Sequence, residues 1–241
     1  KFPTEEIELP SKGLLYPKDN PLSSGKVEIK YMTAKEEDIL SNSSFIENGT
    51  VLDKLLESVI VSKINPKDLI IGDKNAILIA TRVLGYGSDY TVKIDGKVHT
   101  IDISELANKI FDESLIEQGK NEFSFVLPHS NTPITYKILN GHDEIKIERE
   151  LKGLKKLNKN SSPEASTRLK YTITSVNGET ETKEIREFVD NYFLARDTRA
   201  FREHLRNTQP DVDLTVILDS GEEVLVPIGL SFFWPDLEDR A

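Results

Sequence analysis

The chain has 241 residues, no cysteine, and 31 Lys/Arg against 41 Asp/Glu, a net charge of −10. Disulfides and thiolate metal sites are therefore excluded, and the 37% apolar and 30% charged composition is that of a folded chain rather than a disordered one. The excess of acid is even, 15 Lys/Arg against 20 Asp/Glu in residues 1–120 and 16 against 21 in residues 121–241, so no clustered cations suggest a phosphate-binding face, and nucleic acid is not an expected partner.

The first 32 residues hold Pro3, Pro10, Pro17 and Pro21 with Gly13 and Gly25. Prolines at that spacing preclude a long helix, and the stretch is expected to form an extended arm ending in a strand over Lys26–Met32. Thr33-Ala-Lys-Glu36 has the form of a capping box, and it opens a short helix to about Ser41. A second helix is expected from Thr50 to about Lys63, with Leu52, Leu55, Leu56, Val59 and Ile60 at helical spacing. Asp73 is expected to cap a third, strongly apolar helix that ends at Gly85. No apolar run approaches the ~18 residues of a membrane span, no secretory signal is read although the chain starts at Lys1, and no membrane partner is expected.

Tyr90–Ile103 (YTVKIDGKVHTIDI) and Leu214–Ile228 (LTVILDSGEEVLVPI) each alternate about a turn, Asp95-Gly96 in one and Ser220-Gly221 in the other, and each predicts a hairpin. Residues 104–118 are expected to be helical or turn-like. Glu122–Leu127 and Ile134–Leu139 form a second ribbon about PHSNTP, and a helix runs from about His142 to Leu157. The polar stretch Asn158–Ser162 is expected to link two domains. Helices follow over Pro163–Thr174, over Thr182–Phe193 with Ile185, Phe188, Val189 and Tyr192 buried, and over Arg196–Asn207, with a turn at Asn177-Gly178. The expectation is an α+β fold of two helix-plus-β-hairpin halves with an extended N-terminal arm, divided into residues 1–32, 33–158 and 159–241. The similar order of elements in the two halves is not accompanied by any repeat of fixed period.

Catalytic motifs are sparse. No G-x-S-x-G, phosphate loop or G-x-G-x-x-G is present, and Gly85-Tyr86-Gly87 follows a helix rather than opening one. His99, His129, His142 and His204 form no H-x-x-x-H pair, and His142-Asp143-Glu144, the densest cluster of ligand types, falls in a helix first turn where acids complement the dipole. Lys152–Lys159 (KGLKKLNK) reads either as the cationic end of that helix or as a surface for an acidic partner. Paired acids such as Glu36-Glu37 and Glu222-Glu223 are expected to be solvated; a carboxylate-dependent hydrolase or lyase is the alternative they leave open. The adjacent rings of Phe232-Phe233-Trp234-Pro235 cannot all alternate into one core, so at least one is expected to face a partner.

Four stretches, LPSKGLLYP (Leu9–Pro17), MTAKEEDILSN (Met32–Asn42), DKNAILIATRVLGYGSDYTVKI (Asp73–Ile94) and FFWPD (Phe232–Asp236), together resemble the baseplate hub protein family of T4-like contractile-tailed bacteriophages, across nearly the whole chain. The resemblance implies a non-enzymatic hub subunit or hub assembly chaperone that binds other baseplate or hub proteins, located in the virion tail baseplate or, as a transient helper, in the host cytoplasm. Leu14, Leu15 and Tyr16 of the arm, with Phe232, Phe233 and Trp234, are the expected partner-binding anchors. Relatives tend to carry C-x-x-C knuckles near Ile94–Lys97 and Leu218–Gly221. This chain has only tight turns there, which removes any metal inference; no metal or cofactor is expected.

Overall fold

A strand at the very start of the chain, β1 (Thr4–Glu8), pairs antiparallel with β2 (Lys26–Lys30), from Thr4 opposite Lys30 to Glu8 opposite Lys26, in the computed structural model, which describes residues 3–234. The fold is α+β: eight α-helices and four small antiparallel sheets among the described residues. Ahead of the expected strand, which forms as β2, the only extended part of the expected arm is β1. Beyond it the chain doubles back through glycines of positive φ at Gly13 (77°) and Gly25 (74°) and a 3₁₀ turn, Pro21–Ser24, capped by the Asn20 side chain. A Cβ on Gly13 would lie 2.5 Å from Ser23 O and 2.6 Å from Gly25 N, so the fold-back tolerates only glycine there. It delivers Leu9, Leu15, Tyr16 and Leu22 to the core.

Helix α1 (Ala34–Leu40) starts at the expected capping box, in which Glu36 Oε2 accepts the Thr33 N–H at 2.7 Å; the same oxygen also accepts the Thr33 hydroxyl at 2.8 Å. Glu36 was expected to be solvated; instead it is fully buried and also accepts from Ser58 Oγ at 2.6 Å and Lys30 Nζ at 2.5 Å. Burial alone would raise its carboxyl, but the hydrogen bonds from Lys30, Ser58 and Thr33 outweigh burial and hold it at about 2. A depressed carboxyl stabilises the fold fully above its unfolded value of 4.5 and loses that contribution as pH falls toward about 2. Acid titration of stability should therefore show a loss of about 3 kcal/mol between those limits that is absent in Glu36→Gln.

Helix α2 (Ser43–Glu47) is short, and α3 (Val51–Val59) buries Val51, Leu55, Leu56 and Val59. Helix α4 (Ile71–Tyr86) begins two residues before the expected Asp73 cap, with Ile70 as its N-cap, and Asp73 turns inward. It runs through Gly85, where a Cβ would lie 2.8 Å from Met32 Cε, and stops at Gly87, whose φ is 88°. The first hairpin follows as β3 (Asp89–Ile94) and β4 (Lys97–Asp102), turning on Asp95 (φ 49°) and Gly96 (φ 78°), both in the left-handed region that a two-residue turn of this kind needs. Gly96→Val places a β-branched residue at that φ and is expected to cost about 1 kcal/mol or more, read as a melting temperature lower by about 2–4 °C.

Residues 103–122, expected to be helical or turn-like, are irregular but for two 3₁₀ turns, Ile103–Glu105 and Glu113–Leu115, and one antiparallel bridge from Asn108 to Val212. The second ribbon is β5 (Phe123–Val126) with β6 (Pro133–Tyr136), followed by α5 (Gly141–Leu157), capped by Asn140. The helix expected over Pro163–Thr174 is shorter, α6 (Glu164–Thr172), and its β-branched end is a strand, β7 (Ile173–Val176), paired with β6. That pairing corrects the domain division. Asn158–Ser162 is a loop, but the sheet β5-β6-β7 spans it, α6 packs on α5, and one continuous cluster of buried side chains runs from Leu9 to Phe233. Helix α7 (Thr182–Asn191) buries Ile185, Phe188 and Val189, whereas Tyr192, just past its end, is exposed. Helix α8 (Ala195–Thr208) leads to the last hairpin, β8 (Thr215–Ile217) and β9 (Glu223–Leu225), and a 3₁₀ turn, Leu230–Phe233, lies on α4.

Candidate functional site

Both ends of α4 are fastening points. At its N-terminal end Asp73 Oδ1 accepts the Ser11 N–H at 3.0 Å, while Oδ2 accepts the Ser11 and Tyr16 hydroxyls at 2.6 Å each. The Tyr16 oxygen itself accepts the Ile70 N–H at 3.0 Å, and Ser11 Oγ accepts the Gly13 N–H at 3.1 Å. Those two amides take up acceptor sites on the hydroxyls, so each hydroxyl proton points at the carboxylate. The network thus favours an ionised Asp73, yet burial opposes it and wins, lifting the carboxyl above its ordinary range. Burial and the facing Asp73 also push the Tyr16 phenol up.

At the other end, Arg82 is fully buried and meets main-chain oxygens: Nε donates to Phe232 O at 3.0 Å, Nη1 to Gly87 O at 2.6 Å and Nη2 to Asp89 O at 3.0 Å. The Tyr86 and Phe232 rings lie 5.8 and 6.0 Å from the guanidinium carbon, within cation–π range. Burial lowers the guanidinium pKa. Phe232 stands edge-on to Phe233 at 5.5 Å and lies 5.4 Å from Tyr90.

These contacts place the expected anchors. Leu15, Tyr16, Phe232 and Phe233 are buried in the chain's own core, which corrects their assignment as free anchors, and only Leu14 and Trp234 are part-exposed. Pro235 and Asp236 lie outside the described residues. The two groups do not form one patch. Tyr16 is tied to Asp73 and Phe232 to Arg82, nine positions along one helix, a separation of about 14 Å at the helical rise.

Other acids also serve as fasteners. Asp143 completes the Asn140 capping box and pairs with Lys137 at 2.7 Å, His142 Nε2 lies 2.7 Å from Asp68, and the buried Asp197 accepts the His129 and Ser130 N–H groups at 2.8 and 3.0 Å, holding the loop between β5 and β6. Among the described residues no three His, Asp or Glu are grouped to hold a metal ion.

Exposed apolar side chains lie elsewhere on the chain. Val98 on β4, Ile217 on β8, Leu225 on β9, and Ile110 and Leu115 in the irregular segment are exposed large apolar side chains. For the strands the signal was present, since Val98 and Ile217 sit on the polar parity of β4 and β8, whereas Ile103, Leu106, Ala107 and Ile110 follow helical spacing and gave no warning that Ile110 is exposed. Two concavities accompany them. A cavity of about 500 Å³ has apolar walls from Ile138, Leu139, Leu169 and Leu205 and, at its rim, Arg168 bonded through both Nη atoms to Glu144 at 2.8 and 2.7 Å. A cleft of about 820 Å³ separates β4 from β8. No protein-family model, curated protein or solved structure matches the chain.

Proposed function

We propose that this is a non-enzymatic tail protein of a T4-like bacteriophage that acts in building the baseplate hub, as hub subunit or assembly chaperone, through protein–protein surfaces. The observation that carries the reading is that the four stretches bearing the resemblance are bonded into one frame, buried at Asp73 and Arg82 and exposed at Glu37. Ser11 and Tyr16 of the first bond Asp73 of the third; Tyr86 of the third bonds Glu37 of the second at 3.1 Å; Arg82 of the third bonds Phe232 of the fourth. A shared frame is what residues common to a fold family supply, while partner choice is left to the exposed faces. The buried carboxylates support the same reading, since Asp73, Glu36, Asp143 and Asp197 each accept hydrogen bonds that fasten segments distant in the chain or close a helix end.

The test is to fractionate tails and tail-assembly intermediates from cells infected with the phage that encodes the chain and probe both with antibody to it. Presence in mature tails identifies a subunit, and presence only in intermediates identifies a helper. Absence from both overturns the proposal.

A further inference from the structure

The cleft between the two hairpins is lined by consecutive residues on each side, Val98 to Asp102 of β4 and Thr215 to Asp219 of β8 and the turn after it. Consecutive lining residues include both parities of side chain, so it is the backbone edge of each strand that borders the space. Among the described residues both edges are without a strand partner, since β4 pairs only with β3 and β8 only with β9.

Ladder alternation identifies the open groups. Ile103 N donates to Ser88 O next to the first hairpin's ladder, which turns the main-chain groups of Val98, Thr100 and Asp102 outward. Val226 N donates to Leu214 O and Leu218 N to Glu222 O, which turns the main-chain groups of Thr215 and Ile217 outward. Thr215 N is already taken by Asp213 Oδ1 at 3.0 Å. The same two segments are joined at one end of the cleft, where Asp213 N donates to Ala107 O and Lys109 N to Asp211 O, both at 2.8 Å. Pairing thus starts at residues 107–109 and 211–213 and then forks. Beside the open edges stand two exposed β-branched side chains, Val98 (63% exposed) and Ile217 (75%), on a protein with an ample core to hold them.

We infer that this fork receives an extended, basic segment of a partner protein, which adds as a strand between β4 and β8 and joins the two hairpins into one sheet. The charge of the lining selects the occupant. Asp102, Glu105, Asp213 and Asp219 line the cleft with no Lys or Arg among the lining residues, so lysines or arginines alternating with apolar residues complement it. Residues 235–241 of this chain carry Asp236, Glu238 and Asp239 against Arg240, and a second copy presents the same acids, so both are repelled. The inference deepens the proposed function by naming the kind of partner segment, and it rests on that reading only for the partner being a tail protein.

The test adds a synthetic peptide of alternating lysine and valine, about six residues long like an ordinary strand, to the full chain at low salt and follows amide hydrogen exchange residue by residue. Exchange at Val98, Thr100, Asp102 and Ile217 is expected to slow by about tenfold or more, an effect absent with a glutamate–valine peptide and weakened by salt. Thr100→Pro should abolish the protection with little change in melting temperature, because the Thr100 N–H lies outside the ladder. Asp102→Asn with Asp219→Asn should weaken it about tenfold while leaving the backbone donors in place. Protection elsewhere, equal protection by the acidic peptide, no protection at all, or unchanged binding in a folded variant overturns the inference. Concentration-dependent dimerisation that protects the same amides would assign the fork to a second copy and overturn it equally. A failed peptide leaves the hub role standing, and absence of the chain from tails leaves strand addition standing.

Discussion

Asp73→Ala is expected to destabilise the fold by about 4 kcal/mol, measured as the loss of unfolding free energy in urea. Three donors lose their acceptor together: the Ser11 amide, the Ser11 hydroxyl and the Tyr16 hydroxyl. Hydrogen bonds to a charged group contribute about 1.5–3 kcal/mol each, and relief from burying the carboxylate offsets part of their sum. Neither hydroxyl can easily reorient, because each already accepts a main-chain N–H, from Gly13 or Ile70. Asparagine should recover little, since its amide nitrogen would face a hydroxyl proton. A loss below about 1 kcal/mol would show that the N-terminal fold-back is held by apolar burial alone.

Arg82→Ala should cost about 3–5 kcal/mol, combining a cavity in a fully buried site with three main-chain oxygens stripped of their donor. The oxygens belong to Phe232, Gly87 and Asp89, so the defect joins the end of α4, the start of β3 and the C-terminal turn. Lysine at this position keeps the charge but not the fork that reaches three directions, and it should recover less than half of the loss. Trp234 is the chain's one tryptophan and follows the turn that Arg82 holds, so its emission should shift to the red in Arg82→Ala at denaturant concentrations below global unfolding. A coincident transition by fluorescence and circular dichroism would mean that the turn does not detach first.

Local chemistry was legible in the sequence where a few neighbouring residues determine it. The Thr33–Glu36 capping box, the Asp95-Gly96 turn, the Asn177-Gly178 turn with φ of 51° and 82°, and the β5–β6 ribbon all follow from short-range rules. The strand β7 was hidden because Tyr171 to Thr174 continue an amphipathic helix in pattern, and only pairing with β6 makes the β-branched residues extended. The aromatic cluster was misread for a geometric reason. Alternation assumes an extended chain, but Leu230–Phe233 is a 3₁₀ turn, whose tighter rotation lets adjacent Phe232 and Phe233 both face inward. Burial of Leu15 and Tyr16 depended on a fold-back set by contacts with Ser23, Gly25 and Asp73, which no local pattern announces. Four of the six expected anchors, Leu15, Tyr16, Phe232 and Phe233, were therefore core residues, and the open strand edges at the fork are visible only once the two hairpins are placed together.

The sheet that crosses Asn158–Ser162 separates two kinds of continuity that usually coincide in a chain. Covalent continuity passes through that polar loop, whereas mechanical continuity passes beside it, through the β6–β7 ladder and the α5–α6 contact. A protease cut in the loop would sever the polypeptide without parting the molecule. The two fragments would remain one folding unit, and the loop itself is free to lengthen or to accept an insert.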